Sequence, residues 1–230
     1  MDLQDLEQFG ADLLERKTEI DKKCESAIPT FPLEFMGKPM KLKVIDVRIG
    51  FPVYRLANGR TSTYQLQYLA QHSDLDSDFF KRDNDSITAQ MAQNEILLRL
   101  IDDENLLKAF KESELQIEPI LCTNTGVVVN GNRRLCAWRK LYLSDQVKYK
   151  NFQTVEVAIL PECDEKAIKT LEKKLQISKT KRAEYKWHAK AMMAEEELKN
   201  GGKLPEVAKG YGMSPQKMQE MISKKNYAEK

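Results

Sequence analysis

Residues 126–138 read Gly-Val-Val-Val-Asn-Gly-Asn-Arg-Arg-Leu-Cys-Ala-Trp. An apolar strand runs into Gly131 and a helix starts at once. At such a junction the first helical N–H groups lack partners and the helix dipole is positive. Gly131 lets a ligand come close to the backbone. Arg133 and Arg134 fall in the first helical turn, where a cation is unfavourable unless an anion sits against it. The chemistry this pattern suits is the binding of a phosphate or phosphate chain. The same two arginines also suit solvent, or a pairing with acids such as Glu118, and the spacing leaves both readings open.

A second constellation lies near the end of the chain, from Leu204 to Ile222. Ala208 is small where two helices would cross, and Gly212 follows where a turn needs positive φ. Val207, Tyr211, Met213, Met218 and Met221 fall on an internal face. Ser214 caps the second helix and Pro215 opens it. Ser214, Gln216, Lys217, Gln219 and Lys224 are then the outward residues of a helix-turn-helix, with Glu220, Ser223 and Lys225 beside them. Amides and ammonium groups suit base edges and phosphates. A helical hairpin that packs on a protein partner has the same pattern. Lys181, Arg182, Lys186 and Lys190 on the preceding helix would brace a nucleic-acid backbone or face water.

Placing these residues takes a mixed set of elements. Asp2–Ser26 has leucines near helical spacing and reads as one amphipathic helix, ended by Pro29 and Pro32. Leu33 to Val47 reads as a hairpin closed at Gly37. Asn58-Gly59 predicts a tight turn between two extended pieces. Helices are expected over Tyr64–Gln71, Ser86–Ile101 and Glu104–Lys111, with an exposed loop from Ser73 to Asn84. Short strands follow at Pro119–Cys122, Val127–Val129 and Val155–Leu160, the middle one feeding the helix Asn132–Leu143. The remainder reads as helix, Asp164–Gln176 and Lys181–Lys199, then the pair above after a break at Asn200-Gly201-Gly202. This order predicts an α+β chain, a small mixed sheet with packed helices and then an all-helical part. The expected domains are 1–30, 31–162 and 163–230.

Charge is divided unevenly. From Lys166 onward there are 16 lysines and arginines against 8 acids, which leaves 21 bases and 27 acids of the chain's 37 and 35. A tail at +8 on a body at −6 is the asymmetry expected if the tail meets phosphates; surplus surface lysine gives the same count. No apolar run approaches the roughly 20 residues of a membrane span, and no secretory h-region opens the chain, so the expectation is a cytoplasmic protein with no membrane partner. Cys24, Cys122, Cys136 and Cys163 form no C-x-x-C pair, and His72 and His188 are the chain's two histidines. No metal site is therefore expected.

The stretch Gly131-Asn132-Arg133-Arg134-Leu135-Cys136-Ala137 resembles the G-E-R-R-x-x-A motif of the ParB/sulfiredoxin superfamily. Pro119-Ile120 looks like that family's P-I strand, and Val155–Ile159 like the strand after the motif helix. The likeness covers roughly residues 105–222. It implies a ParB-like α/β domain over 31–162, followed by a ParB-type helix-turn-helix. The implied function is DNA binding, with a nucleoside triphosphate, CTP or ATP, held by Gly131, Asn132, Arg133 and Arg134. Arg48, Arg55 or Arg60 would help to close that site. The family's later E-N-x-Q-R motif falls on Lys173-Lys174-Leu175-Gln176-Ile177, so Lys173 and Lys174 would neutralise phosphate without ligating Mg²⁺. The motif glutamate is Asn132, and no histidine is placed as a base, so a catalytic residue is not assigned. The resemblance also leaves room for a nuclease or nucleotide hydrolase of a mobile-element or phage-defence system, for a non-catalytic partner-binding subunit, and for a homodimer through a region outside this chain. Gln90, Gln93 and Asn94 read as a polar pocket wall or as core-edge amides, with Glu95 the nearest acid.

Overall fold

A computed structural model describes residues 2–81, 84–103, 106–113 and 115–228; side chains at 102, 103, 106, 109, 113, 178–186 and 228 lie outside that description. The chain forms two compact units, Met1–Ile168 and Lys169–Lys230. The fold is α+β. The first unit is built on a six-stranded mixed sheet, and the second is helical.

The sheet begins with a hairpin of β1 (Pro29–Phe35) and β2 (Lys38–Arg48). Its turn is Met36-Gly37, both at positive φ (51° and 74°), which suits the right-handed twist of paired strands. Pro29 and Pro32 lie within β1 rather than closing the helix before it. β1 is an edge strand, where a missing N–H is tolerated. β2 pairs antiparallel with β6 (Thr154–Ile159), β6 parallel with β4 (Ile120–Cys122), and β4 antiparallel with β5 (Val127–Asn130). β3 (Val53–Tyr54) closes the order β1-β2-β6-β4-β5-β3 by pairing parallel with β5.

β3 is short, and its outer side is completed by a side chain. The Gln90 carboxamide accepts from the Tyr54 N–H (2.8 Å) and donates to the Tyr54 carbonyl (2.7 Å). One amide thus does what a further strand would do for that residue. Gln93 and Gln65 extend the network, with Gln65 Nε2 donating to Gln93 Oε1 (2.7 Å) and to the Leu56 carbonyl (2.8 Å). The Gln90 amide therefore finishes the sheet edge at Tyr54, and the Gln93 amide is buried against Gln65 and Thr61. Glu95 is on the wet side, paired with Arg99 one turn on.

α3 (Ile87–Asp103) and α5 (Asn132–Ser144) pack together in the first unit. Trp138 is 1% exposed, with Phe110 and Phe152 ring centroids at 5.3 and 5.8 Å. α2 (Ser62–Gln71) and Phe80 form a smaller cluster with Ala89, Ala92 and Ile96. The Ser73–Asn84 segment is thus anchored by a buried phenylalanine and is not an exposed loop throughout. α4 covers Leu106–Ser113; Glu104, where that helix was expected to start, lies outside the described residues.

Three local expectations change. The N-terminal segment is a 3-10 turn (Leu3–Asp5) and a separate helix α1 (Leu13–Ser26), because the chain takes positive φ at Gln8 and Gly10 between them. Leu3 and Leu6 are buried from the turn, whereas Leu13 and Leu14 of α1 are exposed. Asn58 and Gly59 have no positive φ, and the turn they make leads into α2 instead of a returning strand. Beyond β6 the two expected helices are one, α6 (Glu165–Lys199), since Ile177-Ser178-Lys179-Thr180 offers neither proline nor glycine to stop it.

α1 is fastened by Arg16, which is fully buried. Its Nε donates to the Thr125 carbonyl (3.0 Å), Nη1 to the Ala11 carbonyl, and Nη2 to Asp85. Those partners come from three separate segments. Arg16→Ala is expected to lower unfolding stability by about 3–5 kcal/mol, the range for breaking a buried pair. Chemical denaturation checks this, and a loss below about 1 kcal/mol would show that the segments hold without it.

Candidate functional site

β5 ends at Asn130 and α5 begins at Asn132, so Gly131 makes the whole junction. Its φ of 121° is open to glycine alone at little cost. A Cβ there would also come within 3.2 Å of Ile120 and 3.3 Å of Arg134. Gly131 has no side chain to cap the helix, so the first-turn amides receive no side-chain cap from it.

The four residues of the junction part company. Asn132 is 5% exposed and donates through Nδ2 to the Arg55 carbonyl (3.3 Å); its Oδ1 has no partner. Arg134 turns back toward β4. Nη1 donates to the Glu118 carbonyl (2.8 Å) and Nη2 to the Pro119 carbonyl (3.3 Å), with the Glu118 carboxylate 4.0 Å away. Its guanidinium lies 5.9 Å from the Trp138 ring centroid. Burial pushes the Arg134 pKa down, and Glu118 opposes that shift. Arg134 therefore pins the entry to β4, the pairing with Glu118 that the sequence left open. Arg133 is half-buried and is the remaining motif arginine.

Arg55, one of the three arginines that the resemblance offered to close the site, meets this junction through its carbonyl. It is 2% exposed rather than a surface residue, and both guanidinium nitrogens bind Glu165 in the first turn of α6 (Nη1 at 3.0 Å). Arg48 pairs with Glu7 at the surface, and Arg60 is exposed. Cys136 is 1% exposed in the core, where its thiol is 3.5 Å from Asn94 Oδ1. Among the described residues no group of three or more His, Cys, Asp or Glu side chains converges as a metal site.

Lys173 and Lys174 are exposed on α6 and belong to the second unit, whereas Gly131–Arg134 belong to the first. Within the second unit, α6 ends in a Schellman turn. Gly202 N–H bonds the Glu197 carbonyl (2.9 Å), with Gly201 at φ 93°. α7 (Leu204–Gly210) and α8 (Pro215–Ala228) follow, joined by a turn with Gly212 at φ 67°. Val207, Ala208 and Met218 are buried, and Tyr211, Met213 and Met221 pack against them, as their spacing predicts. The Ser214 hydroxyl accepts from Lys217 N–H (3.3 Å) at the start of α8.

Ser214, Gln216, Lys217, Gln219, Glu220, Ser223 and Lys224 are all exposed. Those on α8 lie within one stripe of roughly 160° at 100° per residue. Lys224 Nζ sits 5.0 Å from the Trp187 ring centroid. An exposed cation–π contact contributes about 0.5–1 kcal/mol, too little to keep the ammonium from a phosphate. Lys225 is not on that stripe. It is 7% exposed and binds Glu195 at 2.7 Å. Lys181, Arg182 and Lys186 lie outside the described side chains; Lys190 is exposed.

Comparison of the chain with protein-family models, with curated proteins and with solved structures finds no match.

The division of labour between the adjacent arginines is measurable. Arg134→Ala is expected to cost about 1–3 kcal/mol of stability, since it strips the bonds to two backbone carbonyls. Arg133→Ala, at a half-buried position, is expected to cost less, about 0.5 kcal/mol. Equal losses in urea titrations of the two variants would contradict that division.

Proposed function

We propose that this chain is a ParB-like DNA-binding protein, with the helix-turn-helix of the second unit meeting DNA and the Gly131 junction binding the phosphates of a nucleotide such as CTP or ATP. The observation that carries the reading is the exposed stripe of α8. It offers two amides, a hydroxyl and two ammonium groups along one face, in the part of the chain that holds the net positive charge. Lys217 and Lys224 suit phosphate oxygens, and Gln216 and Gln219 suit base edges. Glu220 on the same stripe disfavours a close phosphate and suits a cytosine amino group.

For the nucleotide, the uncapped first turn of α5 and Arg133 support phosphate binding. Arg134 acts there through the scaffold, and so does buried Asn132, whose Nδ2 is spent on the Arg55 carbonyl. Such a junction suits binding and orienting a phosphate chain. A hydrolase on the same scaffold would draw its base or metal ligands from elsewhere.

The test is fluorescence anisotropy of labelled duplex DNA with the full chain over a range of salt. Affinity in the roughly 10⁻⁴–10⁻⁶ M range at physiological salt is expected for arbitrary sequence. Lys217→Ala should weaken it on every sequence and make the slope of log K against log salt shallower by about one. In parallel, titration of labelled ATP, CTP, GTP and UTP, with and without Mg²⁺, should give one preferred nucleotide whose binding falls at least tenfold in Arg133→Ala. Absence of DNA binding at low salt, with or without nucleotide, would overturn the reading. Release of phosphate from the bound nucleotide would move it to a hydrolase.

A further inference from the structure

A cavity of about 350 Å³ opens in the first unit among the N-terminal turn, α3 and α5. That is within the range of small-ligand sites. Leu3, Leu98 and Leu143 supply its apolar wall. Asn94, Lys140 and Asp2 supply polar groups of three kinds: a neutral amide, an ammonium and a carboxylate.

Asn94 is the informative residue. Its Oδ1 accepts from the Tyr54 hydroxyl (2.9 Å) and from the Cys136 thiol (3.5 Å). Tyr54 and Cys136 are 0% and 1% exposed, so the oxygen end of the amide is held from inside the core. Burial also raises the Tyr54 pKa and keeps its hydroxyl a donor. The amide nitrogen, at the opposite end, has no partner among the described residues. A lining residue whose oxygen is tied inward presents its NH₂ to the cavity, already oriented for an acceptor.

A buried guanidinium lies behind Asn94. Arg139, adjacent to Lys140 on α5, is fully buried and pairs with no carboxylate among the described residues. It donates to the Ile49 carbonyl (2.9 Å) and the Pro52 carbonyl (2.5 Å). The Tyr54 ring centroid is 4.7 Å from its guanidinium, and Nη1 has no partner. A buried guanidinium against the same tyrosine that holds Asn94 favours an anionic group on the cavity side. Asp2, on the opposite sign, is fixed by the capping bonds of the N-terminal turn. Its side chain accepts from Leu3 N–H at 2.6 Å, and its own N–H donates to Asp5 at 2.5 Å.

The geometry points to a binding site for a small α-amino acid with an apolar side chain. Its carboxylate takes the Asn94 NH₂ and the Lys140 side, its ammonium takes Asp2, and its side chain lies on the three leucines. A simple carboxylate would meet Asp2 unpaired, and a simple amine would leave the Asn94 donor unmet. This site is separate from the Gly131 junction and from α8, and it does not depend on the function proposed for them.

Isothermal titration calorimetry of the full chain with L-leucine, L-methionine and L-phenylalanine tests it. Two analogues each lack one charge: leucinamide has no carboxylate, and 4-methylpentanoate has no ammonium. Saturable binding of at least one amino acid with Kd below about 1 mM is expected, with each analogue of leucine at least tenfold weaker than leucine itself. Leu98→Trp, which fills the cavity, should abolish the signal. Lys140→Met, at a half-buried position, should bring leucine and leucinamide within about threefold of each other. No saturable heat for any of the three amino acids up to about 10 mM would overturn the proposal. So would amino-acid binding that survives unchanged in both variants.

Discussion

A guanidinium taken out of water costs several kcal/mol unless its N–H donors find oxygens, and the first unit meets that condition repeatedly. Arg16 spends its donors on two carbonyls and Asp85, Arg134 on two carbonyls beside Glu118, and Arg55 on Glu165. Arg139 has two carbonyls and aromatic faces. The oxygens lie on the connections: 11 and 125 for Arg16, 49 and 52 for Arg139, 118 and 119 for Arg134. Strands of two to four residues at this end of the sheet have little ladder of their own. Their entry and exit points are fixed instead by cations that accept no other placement. The same logic explains Gln90, whose amide closes the outer side of β3 where no strand follows.

This constraint decides what the Gly131 junction can offer. Two adjacent arginines at a helix start look equivalent from spacing, and both suit an anion. Successive helical residues point about 100° apart, however. Arg134 falls on the side facing the entry to β4, where it meets the Glu118 and Pro119 carbonyls. The scaffold therefore ties Arg134 to the entry of β4, while Arg133 stays half-buried beside the first-turn amides. Asn132 is drawn inward by the Arg55 carbonyl, so the position that resembles a family carboxylate is an interior amide with one unused oxygen.

What was legible in the sequence was what local rules decide. The β1–β2 hairpin, the strand-Gly-helix junction and the α7–α8 pair each rest on glycine placement, capping and apolar spacing within about twenty residues. Gly212 takes the positive φ expected of it, and Ser214 makes the expected cap. What was not legible depended on distant partners. Arg16 and Thr125 are 109 residues apart, and Arg55 and Glu165 are 110 apart. A periodicity argument counts such arginines as solvent residues, although they belong to the core. The single α6 was missed for a different reason. Ile177–Thr180 falls between the two expected helices, but a segment without glycine or proline costs a helix little. Lys225 shows the limit within the second unit. Its type suggested the surface, and its helical phase, seven residues after Met218, put it on the packed side.

The two units consequently carry charge in different ways. Arg16, Arg48, Arg55 and Arg99 of the first unit are paired with carboxylates, so their charge is offset at close range and adds little to the field felt at a distance. Beyond Lys166 the excess is mostly lysine, and Lys173, Lys174, Lys203, Lys209, Lys217 and Lys224 are exposed on the described surface. An ammonium on a long flexible stem keeps its hydration and acts as a mobile point charge. That is the form of positive charge that releases counterions from a polyanion. The internal face of α7 and α8 then matters for a mechanical reason. By burying Met218 and Lys225 it fixes the rotation of α8, and that rotation decides that amides and ammonium groups, rather than methionines, face outward.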